Sequence, residues 1–142
     1  MHMKTYICIY CSKENQWLRS SKNKFCDNIC QARYQWVTNT IPRIERGECT
    51  SNSSKTLKRY LIEKFGAKCS KCSIPDIWND LPLVLQLDHI DGDSDNNLVD
   101  NIRLLCPNCH SQTSTFCSRG KGNRYKKSSK RNSYLQEYKK VP

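Results

Sequence analysis

The sequence predicts a small α+β fold held together by bound metal rather than by a large apolar core, and three observations carry that expectation. The chain has 142 residues, 37% of them hydrophobic, which leaves little apolar surface for one domain or two very small ones. Ten cysteines are present, eight of them in four close pairs: Cys8/Cys11, Cys26/Cys30, Cys69/Cys72 and Cys106/Cys109. Between the last two pairs the pattern reads strand, loop, strand, helix.

Small chains supplement a thin core with disulfides or with structural metal, and the compartment decides which. Residues 1–10 contain no apolar stretch long enough for a signal peptide. The longest apolar run, residues 81–87, is broken by Pro82 and Gln86 and is too short to span a bilayer. The cysteines therefore read as intracellular, cytoplasmic thiols and metal ligands, with no membrane partner. The net charge of +11 is divided as +8 over residues 1–68, −5 over 69–118 and +8 over 119–142. An acidic centre between basic flanks suggests a cation site held against a polyanion, although a solvated basic surface has the same composition.

Residues 1–37 form the first expected unit. Fourteen residues separate Cys11 from Cys26, a loop spacing that suits one tetrahedral zinc held by Cys8, Cys11, Cys26 and Cys30 in a zinc-ribbon-like arrangement. Asp27 can cap a short helix over residues 28–37, with Ile29, Tyr34 and Trp36 available to pack on the knuckle. Residues 38–53, with Pro42, Gly47 and a Thr-Ser-Asn-Ser-Ser run, read as a linker. A helix then starts at Ser53 or Ser54, places Leu57, Tyr60, Leu61, Lys64 and Phe65 at helical spacing, and stops at Gly66. Its other face carries Lys55, Lys58 and Arg59, which suit a phosphate-facing helix or an ordinary amphipathic one.

In the module 54–118, Cys69, Cys72, Cys106 and Cys109 suit a second four-cysteine zinc, with 33 residues between the pairs. A strand over residues 83–90, a loop over 91–97, a strand over 101–105 and a helix opened by Pro107 lie within or beside that span. The clamp brings Asp88 and His89, at the end of one strand, near His110 at the start of the helix. Consecutive strand residues point to opposite faces, so a shared site for Asp88 and His89 requires a bulge or sharp twist, which Gly92 would suit. Residues 119–142, rich in Lys, Arg, Ser, Asn and Gly, read as a flexible tail. Its Arg119, Lys121, Arg124, Lys126 and Lys127 suit non-specific phosphate contacts, and Tyr134, Leu135 and Tyr138 suit a short helix formed on contact.

The stretches Leu87-Asp-His-Ile-Asp-Gly and Asp100-Asn-Ile-Arg-Leu-Leu-Cys-Pro-Asn-Cys-His110 resemble the HNH nuclease family, in particular small phage-encoded and free-standing members with a preceding cysteine ribbon. The resemblance covers residues 55–118. It implies a ββα-metal module and a DNA endonuclease, phage-encoded and acting in a bacterial host. His89 would be the general base, a role suited to an imidazole whose ordinary pKa of about 6.5 leaves it mostly neutral. Asp88 and His110 would ligate one divalent ion, magnesium, manganese or nickel. Asn101 would orient the strand that bears the base, with Asn97 the runner-up. One such site cuts one strand, so a duplex break requires a homodimer or a second event.

Other readings compete for the same residues. Cys106-Pro-Asn-Cys109-His110 also satisfies the c-type haem pattern, but it has a partner cysteine pair upstream and no export signal. Asp91, Asp93 and Asp95 imitate the start of a calcium loop, yet position six is Asn96 rather than Gly and position twelve is Ile102 rather than Glu. His110 can instead replace a cysteine at zinc, and Cys49 and Cys117 can be small buried hydrophobes or crosslinks. A non-catalytic zinc-ribbon protein that binds nucleic acid accounts for the cysteines and basic arms, though not for Asp88, His89, Asn101 and His110 together.

Overall fold

The computed structural model describes residues 4–17, 24–50 and 53–118, so the basic segment 119–142, with Arg119, Lys121, Arg124, Lys126 and Lys127, lies outside the described residues. No helix among the described residues is long and apolar enough to cross a membrane.

Strands β1 (Lys4–Ile7) and β2 (Glu14–Trp17) pair antiparallel from Lys4↔Trp17 to Ile7↔Glu14. The turn between them is a knuckle. The Cys8 amide donates to the Lys13 carbonyl at 2.9 Å and the Ser12 amide to the Cys8 carbonyl at 2.9 Å, with Ser12 at φ +59°. Helix α1 (Asn28–Gln35) starts where Asp27 Oδ1 accepts the Cys30 amide at 2.7 Å. Tyr34 packs on Phe25, with ring centroids 5.3 Å apart. Ile29, expected on the knuckle, is 72% exposed, because the short α1 turns that face to solvent. Trp36 is buried, but in the main core rather than on the knuckle.

The linker expected over residues 38–53 is helical in its first half. The chain runs from α1 through a π-helical turn at Trp36–Thr40 into α2 (Ile41–Glu45). The wider turn precedes Pro42, whose ring would clash with the carbonyl four residues back in a regular α-helix. What holds it is burial: Ile44 is fully buried and joins Trp36, Leu57, Tyr60 and Leu61 in the core. Proline and glycine were read there as loop signals, and the apolar pair Ile41 and Ile44 outweighs them by packing.

Helix α3 (Ser54–Phe65) buries Leu57, Tyr60 and Leu61 and ends at Gly66, whose φ of +86° is the left-handed region that glycine enters without strain. Phe65, expected on the apolar stripe, is 55% exposed, and Lys64 reaches the Tyr60 hydroxyl at 2.6 Å. The strand expected over residues 83–90 is shorter. A hairpin of β3 (Ile77–Trp78) and β4 (Leu81–Pro82), with Asn79 and Asp80 both at positive φ in its two-residue turn, occupies the preceding chain, and only Gln86–His89 forms β5. Strand β5 pairs antiparallel with β6 (Ile102–Leu105), and α4 (Pro107–Ser111) follows at once.

The β5–β6 hairpin lies between α3 and α4. Alternation turns Leu87, Ile102 and Leu104 to the core beneath α3, while Gln86, Asp88, Arg103 and Leu105 leave the face that α4 covers. If residues 41–45 belong to the core rather than to a linker, Ile44→Ala should cost about 2–5 kcal/mol, the usual range for truncating a buried isoleucine. Chemical denaturation of the metal-loaded protein measures this, and a loss under about 0.5 kcal/mol would return the segment to linker status.

Candidate functional site

The two knuckles share one backbone design. At Cys69, as at Cys8, the cysteine amide donates five residues on, here to the Ile74 carbonyl at 2.9 Å. The serine after the second cysteine, Ser73, sits at φ +62° and donates back to the Cys69 carbonyl at 2.8 Å. Each knuckle then meets a pair at a helix start: Cys26 and Cys30 at α1, Cys106 and Cys109 at α4. In each tetrad the sulfurs all lie within 4.8 Å of one another. Contacts of 3.6 Å (Cys11–Cys26), 3.7 Å (Cys8–Cys26) and 3.8 Å (Cys72–Cys106) approach the roughly 3.8 Å that a tetrahedral ion with metal–sulfur bonds of about 2.3 Å imposes. All ten cysteines are free thiols, and neither Cys49 nor Cys117 joins a tetrad.

Electrostatics favours a cation in each cluster. Burial opposes ionisation of Cys69, but hydrogen bonds from the backbone at Cys106, Cys72 and Lys71 outweigh it and bring the thiol down to about 6. Cys8 falls to about 6 in the same balance, with backbone at Cys11, Cys26 and Tyr10 overcoming burial. Burial first, then the sulfurs of Cys72, Cys106 and Cys69, push Cys109 up to about 12. The Cys26 sulfur, followed by burial, pushes Cys30 well above the ordinary thiol range. Successive thiolates at this spacing repel, and a central divalent ion removes that repulsion.

On the α4 face of the β5–β6 hairpin, Asp88 is buried and each of its carboxylate oxygens has its own neighbour. Arg103, directly across the ladder, donates from Nε to Oδ2 at 2.7 Å, and His110 Nε2 stands 3.6 Å from Oδ1. His110 Nδ1 bonds to Gln86 Oε1, which can only accept, so Nδ1 carries a proton. In the neutral imidazole the Nε2 lone pair then faces a carboxylate oxygen. That arrangement suits a cation between the two, since ligand atoms about 2.1 Å from one ion lie roughly 3.0–3.6 Å apart. The imidazole is further held by the Phe116 ring, edge-on at 5.2 Å, while the Thr113 hydroxyl donates to the His110 backbone carbonyl at 3.0 Å.

His89 leaves the other face. The ladder runs from Gln86↔Leu105 to His89↔Ile102 without interruption, so the bulge expected at the strand end is absent and the sequence neighbours Asp88 and His89 diverge. His89 Nε2 meets Asn97 Oδ1 at 3.0 Å. The buried Asn97 donates its Nδ2 to the Cys49 carbonyl at 3.0 Å, which fixes its oxygen toward the histidine. Nε2 of His89 is therefore the donor, and Nδ1 keeps the lone pair.

Asn101 touches neither histidine. Its Nδ2 donates to the Asn96 carbonyl at 2.8 Å and to Asp91 Oδ1 at 2.9 Å, while its Oδ1 accepts the Asp91 amide at 3.2 Å. The Asp93 amide, then the Asn101 and Asn96 side chains, hold the Asp91 carboxyl down to about 2. Its contribution to the loop is thus complete above the unfolded value of about 3.9 and is lost as pH falls through about 2.

Of the basic residues expected on α3, Lys55 is exposed and Lys58 half-buried. Arg59 is engaged internally: its guanidinium stacks 3.9 Å from the Trp36 ring centroid and Nε donates to Glu63 at 2.9 Å. Sequence reasoning missed Gln86 and Arg103. Both were open to a parity argument, since Gln86 shares a strand face with Asp88 and the hairpin register sets Arg103 opposite it.

Residues 69–116, which include Asp88, His89 and His110, match the family model described as HNH endonuclease. The chain is 46% identical over 55 residues to the H-N-H endonuclease F-TflIV of Escherichia phage T5. That alignment covers 39% of this chain and 24% of the relative, so the chain spans about a quarter of that protein's length. No solved structure matches the chain.

Asn101→Ala should loosen the loop after His89 while sparing the two sulfur clusters. Losing one such hydrogen bond is worth about 1–1.5 kcal/mol, so amide exchange at Asp91 should accelerate by roughly tenfold. Hydrogen exchange read by NMR or mass spectrometry tests this, and unchanged protection across residues 91–97 would show that the loop is held elsewhere.

Proposed function

We propose that this chain is a DNA endonuclease that hydrolyses phosphodiesters by a one-metal mechanism with His89 as general base. The observation that carries the reading is the Asp88–His110 pair on the α4 face: Gln86 fixes the imidazole tautomer and aims the free Nε2 lone pair at a buried carboxylate. The family match over residues 69–116 and the phage nuclease relative support the same activity. Strands β5 and β6 with α4 then serve as the ββα-metal module, built around the strand–strand–helix order of Gln86–Ser111.

Asp88 and His110 would hold a divalent ion such as magnesium, manganese or nickel, whose oxygen and nitrogen ligands differ from the thiolates that favour zinc. When bound, such an ion supplies Lewis-acid stabilisation of charge on the scissile phosphate and on the departing oxygen. His89 accepts a proton from the attacking water at Nδ1, because Asn97 occupies Nε2. Asn97 orients that imidazole directly, and Asn101 holds the loop that carries Asn97. Zinc in the Cys8/Cys11/Cys26/Cys30 and Cys69/Cys72/Cys106/Cys109 clusters braces the scaffold. The basic residues Lys55, Lys58, Arg119, Lys121, Arg124, Lys126 and Lys127 supply non-specific phosphate contacts.

His89→Ala should cleave roughly 100-fold or more slowly, the scale of a positioned proton acceptor, while keeping wild-type DNA affinity. Asp88→Ala should instead need more metal, and raised manganese should restore part of its rate but none of that of His89→Ala. Single-turnover cleavage of a labelled duplex across metal concentrations measures both. A His89→Ala protein as fast as wild type would refute the base, and a wild type inert with every divalent ion tried would favour a nucleic-acid-binding protein without catalysis.

Elemental analysis of dialysed protein should give two zinc ions per chain, and Cys69→Ser should unfold residues 69–116, because structural zinc contributes folding free energy directly. Protein that is folded and free of zinc would overturn that assignment.

A further inference from the structure

We infer that Arg103 is a phosphate clamp, its guanidinium anchored on buried Asp88 and its free edge turned to a DNA phosphate beside the Asp88–His110 pair. Arg103 stands directly opposite Asp88 in the ladder and spends one donor on it, Nε on Oδ2 at 2.7 Å. Among the described residues its Nη groups find no partner. The two side chains differ sharply in exposure: 3% for Asp88 against 33% for Arg103, so the pair is anchored at one end and open at the other. A guanidinium has five donors in a planar fork, and the edge left over suits two oxygens of one phosphate.

Charge gives the clamp its purpose. Residues 69–118 carry a net −5, and Lys71 and Arg103 are their two basic residues. A polyanion approaching this module meets repulsion unless a cation stands on the same face as the site. Arg103 does so, sharing one carboxylate with His110: Oδ2 takes the guanidinium while Oδ1 faces the imidazole. A phosphate set between them has one oxygen toward Oδ1's side and another toward the Nη edge. The bland alternative is that Arg103 only neutralises Asp88, since a buried carboxylate without a partner is costly.

The inference rests on the nuclease reading, and a binding measurement separates the two. Duplex affinity is measured by anisotropy against salt, with calcium as a non-cleaving ion, for Asp88→Asn, Arg103→Gln and the double variant. A lost phosphate contact lowers the slope of log affinity against log salt by about 0.9. The clamp predicts that loss when Arg103→Gln is added to Asp88→Asn, where no carboxylate remains to be neutralised. An equal slope for Asp88→Asn and the double variant would overturn the clamp. In single-turnover cleavage at saturating manganese, Arg103→Gln should be roughly 100-fold slower, the scale of one removed oxyanion donor, and Arg103→Lys should recover part of the rate. Cleavage by Arg103→Gln within threefold of wild type would likewise overturn it. A wild type that never cleaves removes the nuclease reading, and the salt slopes still decide whether Arg103 holds a phosphate.

Discussion

The placement of His110 against Asp88 depends on the sulfur cluster at the foot of the β5–β6 hairpin. The Cys69 knuckle is stitched to β6 by the Ser70 amide, which donates to the Leu104 carbonyl at 2.8 Å. Cys106 leaves β6 directly, and its sulfur accepts the Cys109 amide at 3.4 Å, so one cluster atom also caps α4. His110 is the next residue. Its position against Asp88 is therefore set by the cysteine cluster at the start of the five-residue α4.

A hairpin of four-residue strands has two faces, and this one uses them for different work. Leu87, Ile102 and Leu104 extend the core beneath α3, while Gln86, Asp88 and Arg103 form a polar row under α4. His89 continues the apolar face at the point where Cys49 and Asn97 take over from the core. The imidazole is half-buried and held there by a hydrogen bond between Nε2 and Asn97 Oδ1. In the polar row Arg103 satisfies Oδ2 of the buried Asp88, while Oδ1 faces the His110 Nε2 lone pair at 3.6 Å, an arrangement that suits a cation.

Between the strands, the loop of residues 91–97 carries no apolar side chain and relies on polar closure. Asn101 spans it with three hydrogen bonds, two of them to Asp91 and one to the Asn96 carbonyl. Gly92 lets it approach the segment after α4: at φ +76°, a Cβ there would stand 2.7 Å from Thr115 Cγ2. The loop is thus tied to β6 by Asn101 and lies against the segment after α4, and His89 borders that set of contacts.

The cysteine pairs and local capping were legible in the amino-acid sequence because they are short-range. Cysteine spacings, Asp27 before α1, Gly66 after α3, Pro107 at the start of α4 and the Asp88-His89, Asn101 and His110 pattern are fixed within a few bonds of one another or by motif. Packing decided the rest. Ile44 turned an apparent linker into helix, and the strand that composition assigned to residues 83–90 is confined to Gln86–His89 behind the β3–β4 hairpin. At the site, strand alternation alone set Gln86 beside Asp88, but only the hairpin register could set Arg103 opposite it, and only the contact with Cys49 could turn Asn97 toward His89. Those contacts join residues 15 to 48 positions apart, and no local propensity encodes which face a distant partner will present.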